Sequence, residues 1–381
     1  MTRRPVPSAW LQLAAVIRKE VRQTVRDRRV MFMLMIAPLV QTVVFGFAVN
    51  FDVDQVPTVV VDLDRSAESR LHTRRLLADG TLRRAGEAGS AVDAERALDA
   101  GQVAAAVILP RGFSADLAAG RPAEVQVVLD GADPNRATVA GGAAARYFGE
   151  VGEARLRARM LATGATAPEA RLAPRIWWNP PLRSAPYMVP GIAGMLLIIV
   201  TTITSAMGLA REREMGTLEQ VMVTPIRPLW LLVGKMAPFL VIGIVDVMLL
   251  VGVGSWLFDI PIRGSPLVLL AGTVLYLFST LGAGLLISTV SSTQQQAFLG
   301  GFLFAIPAII LSGVMTPIRA MPAWLQPITL ANPVRWFVEV MRGVMLRGAG
   351  FGDLWGPLVT LLAIGSAILL FAVARFRKRL V

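Results

Sequence analysis

The sequence predicts a helical membrane domain of six spans with a small α/β domain inserted after the first span. Three observations predict it. Apolar residues make up 54% of the 381-residue chain and charged residues only 17%, against roughly 45–50% and about 25% in a soluble domain. The apolar residues collect in runs near the ~20 residues needed to cross a bilayer core of about 30 Å. Charge is also divided unevenly. Residues 51–186 hold 17 arginines and 17 carboxylates, so the remaining 21 basic and 9 acidic residues carry the whole formal charge of +12. A nucleic-acid binder concentrates its excess on a soluble domain. Here the excess flanks apolar segments, as topology signals do. The chain has no cysteine and one histidine, His72. That excludes disulfides, thiolate metal sites, cysteine nucleophiles and histidine clusters.

Residues 1–29 form a basic lead. Trp10, Leu11, Leu13, Ala14, Ile17, Val21 and Val25 recur at three- and four-residue steps between Arg18, Lys19, Arg22 and Arg26. This pattern predicts an amphipathic helix suited to the headgroup layer. The first span covers 30–50. Its polar lead is long for the n-region of a cleaved signal, so it reads as an anchor.

Residues 51–186 alternate short apolar strands with helical stretches and predict a small α/β domain. Strands are expected at 56–62, 103–109 and 125–129, with helices over 66–78, 93–100 and 135–161. Asp62 and Asp64 share a strand face. Two readings stand for them, a cation or acid–base pair and a solvated strand end. No Gly-x-Ser-x-Gly, His-Glu-x-x-His or EF-hand pattern accompanies them.

Residues 187–381 supply five further spans, at 187–210, 236–258, 265–290, 297–315 and 354–374. The polar turn Ser291–Gln296 divides a stretch without charge from Gly264 to Ile318. Basic residues before the first span, between the second and third, and after the last all fall on one side of six spans. That side is cytoplasmic by the positive-inside rule. Both termini are then inside, and 51–186 is extracytoplasmic. Arg319, Arg335, Arg342 and Arg347 break the rule, since they fall outside. Pro317, Pro322, Pro327 and Pro333 interrupt 316–347, which predicts short outer helices that dip into the membrane and return. Glu339 and Arg342 are three apart and placed to pair across one turn, either as a staple or as a gate.

The segment after the second span runs Arg211-Glu212-Arg213-Glu214-Met215-Gly216-Thr217-Leu218-Glu219-Gln220-Val221-Met222-Val223-Thr224-Pro225. Met215, Leu218 and Met222 fall on one helical face, and Pro225 ends the helix. A short helix over 211–226 is expected on the cytoplasmic surface. Physics alone leaves two readings, a docking element for a soluble partner and a charged loop that keeps orientation. Glu212-x-Glu214-x-Gly216-Thr217-x-Glu219 followed by Thr224-Pro225 resembles the coupling-helix signature of ABC-2 type transporter permeases. Asn332-Pro333 with Arg342 downstream resembles that family's motif before the last span. The plan of one span, a large outer domain and five spans is similar to the bacterial drug- and lipid-export branch.

That resemblance implies a type V exporter-like fold and a permease subunit of an ATP-driven exporter for hydrophobic or amphipathic substrates. It implies a partner permease, identical or homologous, and two copies of a separate ABC ATPase that bind ATP and Mg. Glu212, Glu214, Met215, Gly216, Thr217, Leu218, Glu219, Met222, Thr224 and Pro225 would form the ATPase-coupling element. The chain has no Walker A of its own, because Gly234-Lys235 is followed by Met236 and lacks the upstream glycine. No cofactor, metal or nucleic acid is expected on this chain, and membrane lipids are expected around it.

Asp246 lies mid-span, where a charge costs about 2.5–3.5 kcal/mol. It reads either as a protonatable or substrate-contacting group or as a structural acid. Met188, Met195, Thr201, Thr202, Phe298, Phe302 and Phe304 on the second and fifth spans are candidates for an adaptable substrate path, against plain helix packing. The runner-up function is an ion- or proton-coupled secondary transporter using Asp246, although internal repeats and broken midplane helices are not evident. A membrane-anchored enzyme lacks a catalytic constellation, and a channel lacks a selectivity lining.

Overall fold

The computed structural model describes residues 9–48, 53, 55–162, 178–179, 183–217 and 228–378. It divides into two compact units, one of residues 1–50 and 176–381 and one of 51–175.

The first unit is helical. Helix α1 (Ala9–Arg26) runs almost directly into α2 (Arg28–Ala48). After the second unit come α7 (Ser184–Glu214), α8 (Pro228–Phe258), α9 (Pro266–Val290) and α10 (Gln294–Ile310). Then follow 3-10 turns at Ile318–Ala320 and Gln326–Ala331, α11 (Pro333–Arg342), a π-helical turn Gly343–Arg347 and α12 (Phe351–Lys378). Among the described residues, α7, α8, α9 and Phe351–Phe376 are long and apolar enough to cross a membrane, and Leu34–Phe47 and Gln294–Ile310 are shorter apolar helices. Prolines sit inside five of these helices, at 38, 190, 238, 307 and 357. Membrane helices tolerate them because neighbouring helices re-satisfy the freed backbone groups.

Helix α9 is the hub, packed on α7, α8, α11 and α12. Its seam with α7 is built from small and hydroxyl residues, which let helices approach closely. Thr201 Oγ1 donates to Thr280 Oγ1 (2.9 Å), Thr202 Oγ1 to Thr280 O (3.3 Å) and Ser205 Oγ to Leu281 O (2.8 Å). Gly284 faces them, and a Cβ there would lie 2.4 Å from Thr202 O. At α8, Gly234 admits α1 in the same way, since its Cβ would meet Val16 Cγ1 at 2.6 Å.

Helix α1 docks through Gln12, Val16, Glu20 and Thr24, all buried and four apart. Trp10, Leu11, Val21 and Val25 stay exposed. The predicted apolar face is therefore not the face that binds protein. It stays exposed, while the mixed face meets α8.

The second unit is a four-stranded sheet of β1 (Val56–Asp62), β2 (Leu82–Glu87), β3 (Ala105–Leu109) and β4 (Gln126–Leu129). The order is β2-β1-β3-β4, with β1 parallel to both neighbours and β4 antiparallel to β3. Alternating side chains feed two cores. Val56, Val60, Ala105, Val107 and Leu109 meet Leu76 of α3 (Ala67–Leu76), Phe113 of α5 (Phe113–Ala119) and Ala140 of α6 (Pro134–Ala162). Val59, Val61, Ala106 and Ile108 meet Ala94 of α4 (Ala91–Asp99). Strand β2 was not expected, because Arg83-Arg84-Ala85-Gly86 has no strand pattern and is exposed throughout, while Leu82 is buried.

Candidate functional site

The motif after the second span begins on the end of α7. That helix has 31 residues, so at about 1.5 Å per residue it is about 46 Å long, well beyond a bilayer core of about 30 Å. Its last turn therefore carries Arg211 to Glu214 past the apolar layer. The expected short helix does not start at 211. Residues 211–214 complete α7, and Gly216 then reverses the chain at φ +70, a conformation open to glycine without steric cost. Thr217 Oγ1 donates back to Glu212 O at 3.2 Å. Leu218, Glu219, Met222, Thr224 and Pro225 lie outside the described residues.

Glu212 is buried, and its two oxygens face two lysines. Lys19 Nζ is 2.7 Å from Oε1 and Lys235 Nζ is 2.7 Å from Oε2. Glu20 faces the same two lysines, with its Oε1 3.1 Å from each. Two carboxylates and two ammoniums thus form a neutral ring joining α1, α7 and α8. Three of the four side chains are under one-tenth exposed, while Lys19 is 49% exposed. Burial alone would lower the Lys19 amine, but hydrogen bonding and charge from Glu212 and Glu20 outweigh it and raise the pKa. Isolated buried charges are costly, and only such mutual pairing makes them tolerable.

The neighbouring charges of the motif are engaged too. Glu214 Oε2 accepts from Gln294 N (3.2 Å) and Nε2 (2.9 Å) at the start of α10. Arg213 donates to the carbonyls of Ser288 and Ser291 at the end of α9. Arg211 lies 3.7 Å from Asp27, between α1 and α2. Met215 is 54% exposed. One helix end therefore grips α1, α8, α9 and α10.

Three members of the ring, Lys19, Glu20 and Lys235, were not singled out from the sequence as a site. A signal was present. Only three lysines occur among the 38 basic residues, and two of them are in the ring. Glu20 is the one acid before Asp27. A compact ammonium fits between two carboxylates where a planar guanidinium needs a fork.

A cavity of about 310 Å³ opens beside the ring, lined by Glu20, Asp27, Arg211 and Lys235 and by Met207, Phe239 and Phe298. Of the expected substrate-path residues, Phe298 lines this cavity, and Phe302 contacts it ring to ring at 5.1 Å. Met188, Met195 and Phe304 are partly buried against the main core. Thr201 and Thr202 are inside the α7–α9 seam, with their hydroxyls on Leu197 O and Thr280. Asp246 is 4% exposed within α8.

At the opposite ends of these helices, Asn332 caps α11 by accepting from Val334 N (3.0 Å) and donates to Ala308 O of α10 (2.7 Å). Pro333 takes the first helical position, where no N–H is needed. The expected Glu339–Arg342 pair does not form. Arg342 Nε instead donates to Tyr187 O (3.1 Å), and its guanidinium stacks 3.5 Å from the Tyr187 ring centroid. Among the described residues no cluster of three metal-ligating side chains occurs. In the second unit, Asp62 accepts from the N–H groups of Asp64 and Arg65 and from Ser69 Oγ. Hydrogen bonds from Ser114 and Ser66 hold the Asp64 carboxyl below its usual range. Both acids are thus engaged as turn and cap acceptors.

The model of the ABC-2 family transporter protein matches residues 28–375. The chain belongs to the ABC-2 transporter family. It is 32% identical to the probable multidrug ABC transporter permease YbhR of Escherichia coli, over 97% of this chain and 99% of that one. It is 30% identical to the inner membrane transport permease YhhJ of E. coli, over 94% and 95%. The linearmycin resistance permease protein LnrN of Bacillus subtilis is 24% identical over 87% of this chain and 90% of its own length. This ABC-2 protein is a permease-type subunit that moves substrates across a membrane together with an ATPase. It is a multi-pass inner-membrane protein, mostly helical, with a small mixed-sheet domain.

Proposed function

We propose that this ABC-2 permease is the membrane half of an exporter for amphipathic substrates, driven through the end of α7. In this reading the six spans are α2, α7, α8, α9, α10 and α12, both termini are cytoplasmic, and residues 51–186 are extracytoplasmic. A second permease, identical or homologous, completes the transport path. Two copies of a separate ATPase bind ATP and Mg and dock on residues 211–226. The names of the relatives, multidrug and linearmycin resistance, agree with an apolar or amphipathic cargo.

The observation that carries the proposal is the bonding of Glu212 and Glu214. Glu212 sits in a ring with α1 and α8, and Glu214 is bonded to the first residue of α10. A push delivered to 218–227 is passed to three helices at once through charge-assisted bonds. The cavity beside the ring is lined by both apolar and charged side chains, as an amphipathic molecule requires. Membership of the family places the energy source in an ATPase, so Asp246 is assigned no coupling-ion role.

Affinity purification from native membranes tests the docking. The ATPase subunit should copurify with the wild type and be lost from Glu219→Arg. Retention by both chains would move the contact away from 211–226. Absence of any ATPase from both would refute the exporter reading.

A further inference from the structure

Four arginines break the positive-inside rule, and the fold brings all four together. Arg319, Arg335, Arg342 and Arg347 line one cavity of about 670 Å³, with Glu339 as its one carboxylate and Tyr187 on its wall. They come from two pieces of chain: the turn Ile318–Ala320, and helix α11 with the π-helical turn that continues it. The π-turn matters to this arrangement. Its i→i+5 bonding winds less per residue than an α-helix, which would set Arg342 and Arg347 about 140° from one another. Gly348, at φ +72, then ends the turn.

The arginines are not neutralised by carboxylates there. Arg342 spends Nε on a carbonyl and its face on the Tyr187 ring, while Nη2 is buried with no hydrogen-bond partner. Arg335 donates to the Thr329 hydroxyl and stacks on Trp336 at 4.7 Å. Arg319 and Arg347 are exposed. Four like charges against one acid repel one another unless an anion enters. Planar guanidiniums match the oxygens of a phosphate in a forked geometry.

The depth of the cavity points to the source of the anion. Trp324, on the same loop, is 72% exposed, Trp256 near the end of α8 is 82% exposed, and Trp355 near the start of α12 is 67% exposed. The loop after α8 is joined to the π-helical turn before α12 by Gly264 N donating to Val344 O at 2.8 Å. Exposed tryptophans at one end of a helix bundle mark the headgroup level of a bilayer.

We infer that the cavity lined by Arg319, Arg335, Arg342 and Arg347 binds a phosphate group at the level of the tryptophan belt. That this end of the helices faces outward rests on the topology proposed above, whereas the binding itself does not. The occupant is a phosphate carried either by a membrane lipid or by a soluble molecule.

The test uses the full chain purified from mixed phosphatidylglycerol and phosphatidylcholine vesicles, with retained lipid counted by native mass spectrometry. Arg319→Gln with Arg347→Gln removes the two exposed charges without disturbing buried contacts. The wild type should retain phosphatidylglycerol selectively, and the double variant should lose that selectivity about tenfold or more. Glu339→Gln removes the opposing charge and should raise it. Displacement of the lipid by millimolar inorganic phosphate would identify a soluble phosphate as a competent occupant. Resistance to displacement would identify the lipid headgroup. Equal phosphatidylglycerol selectivity in the wild type and the arginine double variant overturns the inference. This readout needs neither ATPase nor transport, so its failure is separable from failure of the exporter reading.

Discussion

Glu212→Gln should release helix α1 from the rest of the membrane unit. The side chain keeps its size but loses its charge, leaving Lys19 and Lys235 with Glu20 alone. Lys19 is half exposed and can turn to solvent, but Lys235 is 6% exposed and cannot. Removing one partner from a buried pair costs about 3–5 kcal/mol. The lower end applies here, because Lys235 keeps Glu20 at 3.1 Å. At ~1.4 kcal/mol per factor of ten, about 3 kcal/mol raises local opening about a hundredfold. Hydrogen exchange of the amides of 9–26, measured on the assembled complex, reads this directly. The double variant Glu212→Gln with Lys235→Met leaves one pair, Lys19 with Glu20, near solvent. It should recover at least ~1 kcal/mol of the protection, a coupling in the range seen for contacting residues. Unchanged exchange in Glu212→Gln, or strictly additive effects in the double variant, would refute the ring as the anchor of α1. The same variant should hydrolyse ATP normally in the complex while transport falls, since docking and transmission are separate steps.

Other consequences are as direct. Gly284→Val puts a side chain where a Cβ alone would lie 2.4 Å from Thr202 O; backbone cannot move aside cheaply, so overpacking should cost about 1–3 kcal/mol and lower the thermal midpoint of the purified permease. Asn332→Ala removes both a helix cap and the donor to Ala308 O. About 1–2 kcal/mol should be lost, seen as faster exchange at the start of α11 with Pro333→Ala much milder. His72 is buried, with Nδ1 2.7 Å from Tyr147 OH, and burial is the main cause lowering its pKa below the usual 6.5. The folded domain therefore binds fewer protons than the unfolded chain between that lowered value and about 6.5. Stability should fall as pH drops through this window, and His72→Gln should abolish the slope in exchange of α3 and α6. Lys235→Arg should behave as a loss and not as a conservative change, because a larger planar fork replaces a compact point charge in a space built around an ammonium; wild-type transport in that variant would count against the ring geometry.

The residues that the sequence marked and those that the fold recruited meet at one place. Glu212 and Glu214 were legible from their motif, because spacing and sequence neighbours are local properties. Their partners were not. Glu20 lies 192 residues before Glu212, and no period or propensity links a basic lead to the end of a distant span. The outer motif shows the same division. Asn332-Pro333 announced a helix start, since cap and proline chemistry act over three residues. The expected Glu339–Arg342 pair was a local guess that a non-local contact overrode. Stacking on the Tyr187 ring with a bond to its carbonyl proved the better partner for a guanidinium.

Composition and charge placement by themselves determined that the chain is a membrane protein and where its apolar runs lie. Hydrophobic length and flanking charge act on single segments, so they can be read without a fold. Tertiary structure alone decided which face of α1 meets protein, that Leu82–Glu87 is a strand, and that two of the three lysines close a ring. It alone brought Arg319 beside Arg335, Arg342 and Arg347 around one cavity. Those outcomes depend on which segments become neighbours. Burial and charge pairing are then settled between residues far apart in the chain.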